Sequence, residues 1–111
     1  MHEDEKLQQQ IADIGTRYLK RTLGELAQLR ACLQNARSGA PDSLKQLERL
    51  AHKIHGSGAM FGFDALSESA AQIEQIAAAG NYDPDTLSRI EAGIEVLQIR
   101  VEQQARDRGI E

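Results

Sequence analysis

The stretch "LERLAHKIHGSGAMFGFDALSESAAQIEQ", residues 47–75, decides how the chain folds. Its first half carries Leu47, Ala51 and Ile54 at helical steps, continuing a stripe from Leu44 and joined by Leu50. Its second half begins a new stripe of Leu66, Ala70, Ile73 and Ala77. Between them "GSGAMFGFD" loosens or ends the first helix, since a Gly-Ser-Gly run is ordinary termination chemistry. The spacing predicts a helix over about residues 42–57, a sharp turn, and a helix from Asp64 or Ala65. Met60, Phe61 and Phe63 are expected to plug the end of the core.

Upstream, "IADIGTRYLKRTLGELAQLRACLQNA" places Leu19, Thr22, Leu26, Leu29 and Leu33 on one face, widened by Tyr18 and Leu23. Gly39 suits its C-terminal cap, Pro41 cannot continue it, and Asp42 or Ser43 can cap the next helix. Leu7, Ile11 and Ile14 suggest a short leading helix in the first dozen residues. Downstream, "AAGNYDPD" is a break, and a last helix from Asp83–Asp85 shows Leu87, Ile90, Ile94, Leu97 and Val101 on one side. The final "ARDRGIE" is expected to fray. The expected fold is all-α: one antiparallel up-down four-helix bundle over residues 1–111, with a short extra N-terminal helix as an option.

Composition narrows the function classes. The 111 residues are 41% hydrophobic but only 4% aromatic, so Leu, Ile and Ala must build the core. A net charge of −4 argues against nucleic acid, whose phosphates need a basic surface. No apolar run approaches the ~20 residues that span a bilayer, and "MHEDEKLQQQ" has the wrong chemistry for a secretory signal. Cys32 is the single cysteine, so an internal disulfide is excluded, and a half-buried packing role suits it. The expectation is a cytoplasmic protein.

The helical wheel then places the histidines. Relative to the stripe through Leu44, Leu47, Ala51 and Ile54, His55 lies about 60° off-centre and His52 about 120° off-centre. His52 therefore faces outward and His55 sits at the edge of the buried face. Gly56 lies about 40° from His52, one turn forward, with Ala59 beyond it. Glycine in a helix costs roughly 1 kcal/mol relative to Ala, and Gly56 and Gly58 leave bare backbone that another body could approach. Glu74 lies well off the centre of its own stripe, at the margin facing a neighbour. It can accept a hydrogen bond from one histidine, or make an ordinary surface ion pair.

The stretch resembles the signature of the histidine-containing phosphotransfer (HPt) family. The shared frame is supplied by His52, Ile54, Gly56, Ser57, Gly58, Phe61, Gly62, Phe63 and Leu66. The core motif spans residues 47–74, and the helical pattern matches over nearly the whole chain. The resemblance implies that His52 is the phosphoacceptor, exposed mid-helix, and that Glu74 orients it by a hydrogen bond. One position departs: His55 stands where the family usually has Lys or Arg, three residues after the active histidine. Nothing here looks like a nucleotide loop or a Mg²⁺-holding acidic cluster.

The resemblance therefore implies a phosphocarrier rather than an autonomous kinase, with no bound cofactor. Its partners would be response-regulator receiver domains, which bring the aspartate and Mg²⁺, and an upstream hybrid sensor kinase. Gly56, Ser57, Ala59 and Gln72 are the contact candidates from position alone, and a monomer is expected. Two other readings stay open. One is a metal-binding bundle using Glu48, His52, His55 and Glu74. The other is a helical adaptor with no chemistry.

Overall fold

The computed structural model describes residues 2–109, and among these every regular element is a helix. α1 spans His2–Arg37, α2 Ser43–Met60, α3 Asp64–Ala78 and α4 Pro84–Asp107. Each packs on two others: α1 on α2 and α4, and α3 on α2 and α4, closing a four-sided bundle. The stripes read from the sequence meet at its centre. Leu19, Leu29, Leu47, Ile54, Leu66, Ile73, Ile90, Ile94, Leu97 and Val101 have no exposed surface, and Thr22 joins them by returning its hydroxyl to the Tyr18 carbonyl. Cys32 is half-buried against this core, where burial pushes its thiol pKa up.

The helix ends follow local rules with one exception. α1 closes on Gly39, whose φ of 78° lets its N–H reach the Ala36 carbonyl while Ala40 N–H reaches Asn35. α4 opens with Asp83 accepting from the Thr86 amide and Pro84 following. α2 is the exception. Asp42 precedes it in a left-handed conformation and makes no side-chain cap, and Ser43 Oγ donates back to the Ala40 carbonyl. The amide of Leu44 donates instead to the Tyr82 hydroxyl at 3.2 Å, so the cap comes from the α3–α4 connection.

Four expectations are corrected. The leading helix is not separate: Leu7, Ile11 and Ile14 lie on α1 itself. At 36 residues and about 1.5 Å each, α1 nearly matches the 57 Å long axis of the molecule and overhangs the other helices. Leu23 is exposed, because it sits about 80° from the centre of its stripe. α2 does not stop near residue 57 but runs through both glycines to Met60. It then ends at Gly62, with φ 81° and Phe63 N–H on the Gly58 carbonyl at 2.8 Å. That extra turn carries Met60 off the buried face. Met60 is 79% exposed and Phe61 38%, while Phe63 alone of the three is buried.

Candidate functional site

The core stripe of α2 continues through Gly58, which is buried. A Cβ there would stand 3.1 Å from the Ser67 amide nitrogen and 3.2 Å from its Cα, so α3 lies directly on bare α2 backbone. Ser67 Oγ donates to the His55 carbonyl at 2.7 Å across this seam. Seven residues on, about two turns along the same face of α3, stands Glu74. The close crossing at Gly58 thus sets the register that aims Glu74 at the histidines.

Glu74 meets both rings. His52 Nδ1 donates to Oε2 at 2.7 Å and His55 Nδ1 to Oε1 at 3.0 Å. The two imidazoles stand edge to face, 6.3 Å apart. His52 is 71% exposed by its side chain, His55 44% and Glu74 23%. Partial burial pushes the Glu74 carboxyl up, and the hydrogen bonds and charge of His52 and His55 outweigh it, leaving its pKa below the usual value. Glu74 is therefore an anion at neutral pH. A neutral ring that donates through Nδ1 keeps the Nε2 lone pair free.

The wheel reading holds for His52, outward, and for His55, at the edge. It anticipated one histidine on Glu74, and the structure brings two. Gly56 and Ala59 are exposed on α2, and nothing lies within 4 Å of a Cβ at Gly56. Ser57 is turned elsewhere: its Oγ lies 2.9 Å from the Tyr18 hydroxyl and donates to the Lys53 carbonyl. Gln72 is exposed, about 160° round α3 from Glu74. Lys53 also points away, its ammonium 3.3 Å from the buried carboxylate of Glu25 on α1.

Arg49 was missed. With Lys45 and Glu48 it lines a shallow depression beside His52 and Glu74. Its spacing three residues before His52 could have flagged it. The ligand atoms of His52, His55 and Glu74 lie within 4.8 Å of one another, close enough to share a metal ion, and Glu48 is not among them. No helix among the described residues is long and apolar enough to cross a membrane.

Comparison with known proteins gives one family. The Hpt domain matches residues 17–106, from one residue before Tyr18, where the core cluster begins, to the last turn of α4. Neither the curated proteins nor the solved structures offer a significant match. With an outward histidine on a four-helix bundle and a family match across most of its length, the chain belongs to the Hpt domain family, which performs histidine phosphotransfer in phosphorelay signalling with receiver and kinase partners.

Proposed function

We propose that His52 accepts a phosphoryl group from a phosphoaspartyl receiver domain and passes it to the aspartate of another. The observation that carries this is the Glu74 bridge on the exposed His52 ring, which leaves Nε2 as an outward nucleophile. In the forward step the Nε2 lone pair attacks phosphorus and the Nε2–P bond forms. The P–O bond to the aspartyl carboxyl breaks, and that carboxylate leaves with the electron pair. The ring gains positive charge, which the Glu74 anion faces through Nδ1–H. Return transfer reverses each bond change, with a carboxylate oxygen of the second receiver attacking phosphorus.

His55 takes the second oxygen of Glu74 and brings no fixed charge to the phosphoryl group. Lys45 and Arg49, beside His52 in the same depression, are the cations placed to meet phosphoryl oxygens. Mg²⁺ is assigned to the receiver. Gly56 and Ala59 leave the surface low next to His52, where the receiver's active site must approach.

The test is incubation with a phosphorylated receiver domain and Mg²⁺, beside His52→Gln and His55→Gln, read by intact mass. The expected result is an acid-labile phosphoryl adduct absent only from His52→Gln. An adduct that survives His52→Gln, or none with a broad receiver set, overturns the assignment. The clustering of His52, His55 and Glu74 ligand atoms also favours a second reading, a His₂Glu site for a divalent transition metal. Stoichiometric zinc in the purified protein, lost together with His52 or His55, would favour it.

A further inference from the structure

The Hpt match begins at residue 17, yet α1 begins fifteen residues earlier as an unbroken helix. This overhang has an apolar face. Leu7, Ile11 and Ile14 are 56%, 61% and 48% exposed, and at steps of four, three and four the row ends on Tyr18, which is buried at 3% beneath Phe61 and the Arg21 guanidinium. All four fall within about 60° of arc. The row runs into a groove lined by Ile14, Arg17, Tyr18, Arg21 and Phe61, with exposed Met60 next to Phe61 in the chain.

Charge is graded along the same segment. Glu3, Asp4 and Glu5 occupy the first turn of α1, Arg17, Lys20 and Arg21 flank the Tyr18 end of the row, and Lys6 and Asp13 lie between. A second α1 laid parallel would set acid on acid and base on base. Laid antiparallel, with Ile11 opposite Ile14 of the second copy, it sets Asp4 opposite Arg21 and Leu7 opposite Tyr18. These are the alternating layers of an antiparallel two-helix coiled coil. The same register brings Leu7 to the groove whose walls are Arg17, Arg21 and Phe61 and whose floor is Tyr18.

We propose that the N-terminal overhang of α1 is a self-association surface, through which two copies of this chain pair antiparallel about a two-fold axis over residues 4–21. Each contact then occurs twice, as a closed two-fold interface demands. The contact is a single pair of helix segments of about five turns, so the dimer is weak and concentration-dependent. It replaces the monomer that family resemblance alone suggests, and it does not depend on the role given to His52.

Sedimentation equilibrium of the full chain at low salt, from about 1 µM to about 1 mM, should show the mass rising from one chain to two. Ile11→Asp, at an exposed site, should raise the dissociation constant by more than about tenfold with helicity and melting temperature retained. Asp4→Arg and Arg21→Asp should each be monomeric alone, and an equal mixture should pair, because both facing contacts become attractive again. A monomer at every concentration overturns the proposal, as does a dimer indifferent to Ile11→Asp. A dimer weakened by Ile11→Asp that the charge swaps neither break nor restore overturns the antiparallel arrangement.

Discussion

Gly56 and Gly58 stand two residues apart on α2, and their surroundings share nothing. Around Gly56 a Cβ would meet open space, and the bare backbone runs in the same row as His52. At Gly58 a Cβ would press on the backbone of Ser67. One glycine leaves open surface in the row of His52, where we propose that the receiver docks. The other removes a side chain so that α3 can come close enough to aim Glu74. The lesson is one of direction: two glycines with the same helix penalty leave open surface or admit a neighbouring helix according to which side of α2 each faces.

The largest effect should come from filling the seam. Gly58→Val drives two methyl groups against Ser67 backbone, and overpacking of this kind costs about 1–3 kcal/mol. Chemical denaturation should show that loss, and phosphotransfer should fall with it as Glu74 swings from the histidines. A variant with normal stability would break the contrast. Gly56→Ala should do the reverse, raising stability by up to about 1 kcal/mol. Gly56→Leu, whose Cβ likewise enters open space, should slow transfer from a receiver while leaving the fold intact. Unchanged transfer rates would remove Gly56 from the docking surface.

The smallest effect concerns the bridge that the seam positions. Glu74→Gln keeps the shape and removes the charge. The Glu74 pKa is lowered on folding, so its contribution is fully present above the ordinary glutamate pKa. It is lost as pH falls through the lowered folded value. Paired thermal melts should therefore show a wild-type advantage of up to about 1 kcal/mol at neutral pH that closes in acid. A gap that persists below the lowered folded value would mean that the carboxylate charge is not its source.

Much of this was readable from spacing. The 3–4 stripes named the buried Leu and Ile residues on all four helices, though not Ala36 or Ala105, and the wheel turned His52 outward. It also contained the Gly58 result, since Gly58 falls four residues after Ile54 on the buried stripe. Reading Gly-Ser-Gly as a terminator hid that, because termination chemistry and close helix crossing draw on the same residue. Two features were beyond any local rule. The cap of α2 comes from Tyr82, in the α3–α4 connection, and depends on how that connection folds back. The double bridge at Glu74 depends on the α2–α3 register to within one residue, which amphipathic pattern alone does not fix. Hydrophobicity misled in one way, at Leu23, Met60 and the Leu7–Ile14 row, where apolar side chains sit outside the bundle core.

The shared carboxylate also has an entropic side. Ordering a glutamate costs up to about 2 kcal/mol in lost rotamer freedom, and two independently oriented imidazoles would ordinarily require two such residues. Here one ordered glutamate serves two rings, each through its own oxygen. Its freedom is already restricted before any partner arrives. His52 can therefore be as exposed as a surface side chain and still present a single ring orientation.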